Sequence, residues 1–291
     1  MKGKSILEVV IVFGLSSLFS WWLNAQFAQA SIDREVQRWI GGAIFIAISL
    51  IIMALTRRPW REYGLTLKDW RASFDIGMTG YVARFIPVGA LLGLVLLNIT
   101  YRTWLGGALL FVAEALGIWV LLTMLRRQAA KDPMGDARRS KVKNNILLLG
   151  GLLLLPIVLS IITGRAALLV TSTVLWQLIV SGFGEEIRYR GYYQSRVNQE
   201  FGKPYQIMGV RFGPGLIVSA VLFGLVHAFN TFNPLIGQYN LAWPWALWTL
   251  MGGFFFGLLR EKTDDVVACT IAHGGLDAVG EGLAIMMGVT L

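Results

Sequence analysis

Charge is what this sequence most lacks. Asp, Glu, Lys and Arg make up 15% of its 291 residues, where a soluble domain of this size carries about a quarter. That deficit excludes a water-covered globular surface, a disordered chain and a coiled coil. Cysteine is scarcer still: the single Cys269 rules out an internal disulfide and any cysteine metal cluster. Histidine occurs only at 227 and 273, and HExxH does not occur. There is no low-complexity tract, no long linker and no repeat of fixed period. What is abundant is apolar, with 55% hydrophobic residues, 33 glycines and a mean hydropathy of +0.61. The apolar runs are continuous rather than ~10-residue alternating segments, so they predict membrane-spanning helices and not a barrel.

The expected fold is therefore all-α, a polytopic transmembrane helix bundle of about eight or nine spans, forming a single integral membrane domain over residues 1–291. Spans are expected at 5–29, 37–56, 74–98, 104–125, 146–164, 166–187, 214–230, 243–260 and 265–290. The first has the look of a cleavable signal, with Lys2, Lys4 and an Ala28-Gln29-Ala30 site, but Glu8, Trp21 and Trp22 favour an uncleaved helix. Of the 26 Lys and Arg, 21 fall in connections on one side, 4 on the other, and Arg84 lies within a span. This asymmetry predicts a cytoplasmic N-terminus with large basic cytoplasmic loops. The net charge of +9 thus reflects topology and gives no reason to expect nucleic acid. Residues 57–71 mix cations with Trp60, Tyr63 and Trp70, as an interfacial segment would, and 126–145 reads as a solvated connection facing anionic lipid.

A charge inside a bilayer costs about 2.5–3.5 kcal/mol on insertion scales, so each one needs a reason. Arg84 and Glu114 sit ten residues into the third and fourth spans from opposite sides, which predicts a structural ion pair, with substrate binding as the alternative. The C-terminal third is different. Glu185 and Glu186 close the sixth span in GFGEEIRYRG, followed by Arg188 and Arg190. His227 ends FGLVH, and His273, Asp277 and Glu281 recur every four residues on one helix face. A carboxylate sheltered from water suits a general base, and a histidine beside it can share the water's proton or stabilise an oxyanion. Arg190, one turn from Glu186, can neutralise that acid and leave Glu185 freer to take a proton. Gly182 and Gly184 permit close backbone approach.

EExxxR (Glu185, Glu186, Arg190), FxxxH (Phe223, His227) and HxxxN/D (His273, Asp277), in that order on separate helices, resemble the CAAX protease and bacteriocin-processing family of intramembrane endopeptidases, also labelled abortive-infection proteins. The resemblance spans roughly 180–280 and makes 146–291 the expected catalytic core, with 1–145 supplying N-terminal spans and basic loops. It implies Glu185 as the water-activating base, His227 as its partner at the same water, and Glu186 with Arg190 as polarising groups. His273 and Asp277 would support the oxyanion, with Phe223 and Glu281 in supporting places. It further implies a membrane-associated protein or peptide substrate, lipidated or not, in a bacterial or archaeal cytoplasmic membrane.

Other readings stay open at this point. Glu185, His227 and His273 are ordinary zinc ligands, although metal-free general-base catalysis with no cofactor is preferred. A non-catalytic scaffold or immunity-type protein on the same fold is the runner-up, and a proton-coupled transporter is third. His227 lies about thirteen residues into its span and His273 about eight. For them to meet Glu185 the seventh span must start outside the membrane or sit displaced, with 231–242 partly embedded against protein. The expectation is one cavity holding Glu185, His227 and His273, no pair more than about 12 Å apart. Gly253 and Gly257 form a GxxxG that packs helices within the chain or makes a dimer; the oligomeric state is not readable.

Overall fold

The computed structural model describes residues 3–129 and 136–289. Lys2 and the middle of the 126–145 connection, assigned above to the cytoplasmic side, lie outside the described residues. The protein is an all-α polytopic bundle. Seven helices among the described residues are long and apolar enough to cross a membrane, where all backbone hydrogen bonds must close within the segment. They are α1 (Lys4–Gln29), α2 (Arg34–Leu55), the pair α3 (Trp70–Ala83) and α4 (Phe85–Leu96), α5 (Trp104–Ala129) and α6 (Asp136–Thr163). The sixth is a 35-residue helix that begins as α7 (Ala167–Trp176), passes through two π-helical stretches, Gln177–Glu185 and Ile187–Gln194, and ends as α8 (Ser195–Phe201). The seventh is α9 (Pro214–Ala228), followed by α10 (Trp243–Thr263) and α11 (Val267–Met287).

All nine expected spans coincide with helices. The last two, 21 residues each, are not apolar enough to count on composition alone. Both lie in the interior of the bundle, with Phe255, Leu259, Ala268, Cys269 and Ala272 fully buried. A helix walled in by protein need not be apolar all round. By contrast α1 leaves Leu7, Leu15 and Leu18 exposed, the lipid-facing pattern.

The sixth span differs from expectation. It does not end at 187, and Arg188 and Arg190 are not loop cations: they are 7% and 0% exposed. Each has partners inside the protein, so the helix carries them through the bundle and continues to Phe201. The break between α3 and α4 falls at Arg84. Pro87 has no N–H to offer the Ala83 carbonyl and its ring crowds that turn, while Arg84 N–H still bonds Gly80 O at 3.0 Å.

Glu8, the odd charge in α1, accepts from Arg196 at 2.7 and 2.8 Å and from Tyr192 at 2.8 Å. The interfacial segment is pinned by fully buried Tyr63 while Trp60 and Leu67 stay exposed. GxxxG packs α10 on α9: a Cβ on Gly253 would lie 2.8 Å from Ala220 Cα, and one on Gly257 2.2 Å from Leu216. That is intramolecular packing. Residues 232–239 form a small hairpin, Phe232–Asn233 paired with Gln238–Tyr239. It rests on α1, with Asn233 donating to Trp21 O at 3.0 Å. The start of α9 is level with the α7–α8 extension, where Asn198 accepts from Gly215 N–H at 2.9 Å. That displacement lets His227 reach the depth of Glu186.

Candidate active site

Two glycines set the distance between the helices that carry the chemistry. A Cβ on Gly182 would sit 2.6 Å from Gly274 Cα, and one on Gly274 would sit 2.8 Å from both Gly182 Cα and Gln177 O. Contacts under 3 Å cannot be accommodated against backbone, so the π-helical stretch and α11 touch here because neither has a side chain. The π form itself is the wide turn found as a bulge in helices at functional sites.

That contact delivers Glu186 to His273. Glu186 Oε1 lies 2.8 Å from His273 Nδ1 and 3.2 Å from Arg190 Nη1. Glu186 and Arg190 are wholly buried, and His273 nearly so. His273 Nε2 lies 3.4 Å from Asp277 Oδ2, so the ring can donate to both carboxylates only when it carries two protons. Its face is stacked on Phe256, 4.4 Å between centroids at 20°. Arg190 is held above Phe223 at 4.4 Å and donates to Gly253 O at 3.2 Å.

His227 approaches from α9. Its Nδ1 lies 2.7 Å from the Phe223 carbonyl; a carbonyl only accepts, so Nδ1 carries the proton and Nε2 is left as an acceptor. Phe223 lies between the histidines, 4.6 Å from His227 and 5.9 Å from His273 by centroids. The imidazoles are thus closer than the roughly 12 Å that one or two bridging waters span. Glu185 sits beside the cluster in the field of His273, Glu186, Arg190 and Asp277. Its Oε2 is buried with no hydrogen-bond partner among the described residues, as is Glu186 Oε2.

The remaining candidates fall outside this cluster. Glu281, two turns beyond His273, has Asp277, Gln177 and Arg38 as its electrostatic neighbours. Arg84 and Glu114 form a buried ion pair, and Arg84 lies 5.0 Å over Phe256. Phe256 was missed from the sequence; within Phe254-Phe255-Phe256 nothing distinguishes it from core. Gly274 had a signal in the glycine pair that follows His273. Among the described residues no group of three or more His, Cys, Asp or Glu is placed to hold a metal ion.

Residues 167–279 match the family model described as type II CAAX prenyl endopeptidase Rce1-like. This segment is similar to Rce1-like domains. At family level the likeness supports a CAAX-type intramembrane protease, as the three motifs led one to expect. The Rce1-like match takes in α7 through Asp277 and leaves out Arg84, Glu114 and Glu281. Neither the curated proteins nor the solved structures give a match.

Proposed function

We propose that the chain is an intramembrane endopeptidase that hydrolyses a peptide bond of a membrane-associated protein or peptide by water activated at Glu185. The observation that carries this is the unequal treatment of the two adjacent acids. Glu186 Oε1 is engaged by Arg190 and His273, while among the described residues neither oxygen of Glu185 has a hydrogen bond or an ion pair, and its Oε2 is buried. A water there gives its proton to Glu185 and attacks the scissile carbonyl carbon. His227 Nε2, unengaged, orients that water. The oxyanion of the tetrahedral intermediate is stabilised by His273, held between Glu186 and Asp277. Breakdown passes the proton from Glu185 to the leaving amine, and the new carboxylate departs.

The catalytic unit is 146–291 within a single membrane domain, N-terminus cytoplasmic, in a bacterial or archaeal cytoplasmic membrane, with metal-free chemistry. The test compares protein N- and C-termini across the proteome in cells carrying wild type or Glu185→Gln at equal abundance. Termini found only with wild type are expected. Identical termini, with the null-strain phenotype rescued by both versions, would replace protease with scaffold.

A further inference from the structure

A second buried arginine has no role in the chemistry above. Arg188 is 7% exposed in the midst of the long helix. Its Nε donates to Ser49 at 2.9 Å and its Nη2 to the Phe45 carbonyl at 2.8 Å. Its guanidinium carbon lies 3.4 Å from the Phe45 ring centroid. Among the described residues no carboxylate pairs with it and no hydrogen bond reaches Nη1. Glu185, three residues earlier, influences it electrostatically without forming an ion pair. An arginine inside a membrane without a counter-ion is costly, and its surroundings show what lowers that cost.

Arg188 lines a cavity of about 200 Å³ between α1, α2, the π-helical stretch and the 232–239 hairpin. Tyr193 also lines it, with its hydroxyl turned toward Ser16 of α1. The rest of the wall is amphipathic, with aromatic rings such as Phe13, Trp21 and Phe229 alongside the α1 hydroxyls Ser17 and Ser20.

We propose that this cavity binds an amphiphile with a single carboxylate, its acid head on Arg188 Nη1 and its apolar body along the aromatic wall. Arg188 offers one uncompensated charge, which a monoanionic carboxylate meets; a phosphate dianion would bring in a second charge with no partner. The site lies beside the protease centre and does not depend on it. A fatty acid and the free C-terminus of an apolar peptide share this chemistry.

The test uses the full chain in phosphatidylcholine nanodiscs. Quenching of tryptophan fluorescence by 11-bromoundecanoate is compared with that by 11-bromoundecanol. A parallel arm displaces the bromo acid with the tripeptide Ala-Phe-Leu as free acid or amide. Saturable quenching is expected, at least tenfold tighter for the acid than the alcohol. Arg188→Gln should remove that preference and leave alcohol binding unchanged, whereas Arg188→Lys should retain part of it. Ser17→Phe, which fills the cavity without touching the charge, should abolish saturable quenching by both. Displacement by the tripeptide acid and not its amide assigns the site to peptide ends; no displacement by either assigns it to fatty acids. Equal affinity for acid and alcohol, or a preference that survives Arg188→Gln, overturns the proposal. If Arg188→Gln does not fold, unchanged quenching in Ser17→Phe overturns it instead.

Discussion

Two groups of buried charge lie close to Phe256 and are built on opposite plans. Arg84 and Glu114, from the α3–α4 joint and α5, are one cation and one anion in contact. The other group sets Glu185, Glu186 and Asp277 against Arg190 and His273, from two helices. The first closes to zero charge even though Arg84 Nε and Glu114 Oε2 lack hydrogen bonds. The second sets three carboxylates against one guanidinium and one imidazole, and Glu185 Oε2 and Glu186 Oε2 are buried without hydrogen bonds, as are Arg190 Nε and Nη1. A balanced pair holds helices together and asks nothing more. A cluster with excess carboxylate and unmet polar atoms of both kinds is suited to take in a further polar group, and under the proposed function that group is water.

The sharpest way to break this contrast is at the two adjacent acids. Glu185→Gln should cut the yield of wild-type-dependent termini by about 10²–10⁴-fold, the range for loss of a general base, with little change in unfolding. Glu186→Gln should cut it too, but also destabilise the fold, because Arg190 and His273 lose the negative charge they share. Activity that survives Glu185→Gln and vanishes in Glu186→Gln would exchange the roles assigned to them.

Next in size is the balanced pair. Arg84→Met leaves Glu114 buried and unpaired, and breaking such a pair costs about 3–5 kcal/mol. Denaturant unfolding in micelles would measure this. Arg84→Met combined with Glu114→Leu should recover most of the loss, since an apolar pair of similar volume is close to neutral. A double variant as unstable as the single one would mean that Arg84 works through Phe256 and His273 instead, and the two groups would then be one.

Helix contact comes third. Gly274→Ala puts a methyl into backbone at 2.8 Å and should cost about 1–3 kcal/mol, with activity falling further than stability as Glu186 and His273 part. Gly280→Ala, on the same helix with nothing within 4 Å of its Cβ, should be neutral or stabilising by up to ~1 kcal/mol. Equal effects at 274 and 280 would show that helix propensity, not interhelical distance, is being measured.

Much of this contrast was legible before any coordinates. Apolar runs located the helices, because the bilayer leaves few alternatives, and ten residues of depth from opposite sides matched Arg84 with Glu114. The motif spacing brought Glu186 and Arg190 together, since i and i+4 remain neighbours even in a π turn. The π form itself was not legible: it depends on a tertiary contact, Gly182 on Gly274, that local sequence does not encode. For the same reason the end of the sixth span was misplaced. Arg188 reads as a loop cation until Ser49 and the Phe45 carbonyl are seen to receive it. Phe256 stacking on His273 is likewise a relation between two helices and leaves no trace in either one's sequence.

The smallest effect calibrates the rest. Arg58 and Glu62 form an i, i+4 pair at 3.3 Å with side chains 42% and 38% exposed, the same chemistry as Arg84 and Glu114 without the burial. Water solvates both partners whether or not they meet, so a double-mutant cycle with Arg58→Ala and Glu62→Ala should give a coupling of only ~0.3–0.5 kcal/mol, shrinking as salt rises. The Arg84–Glu114 cycle should be several-fold larger and insensitive to salt. The ratio isolates what burial does to one ion pair when charge type is held constant. Were the surface pair to couple as strongly as the buried one, desolvation would not separate the two regions, and the excess carboxylates beside His273 would lose their claim to be unusual.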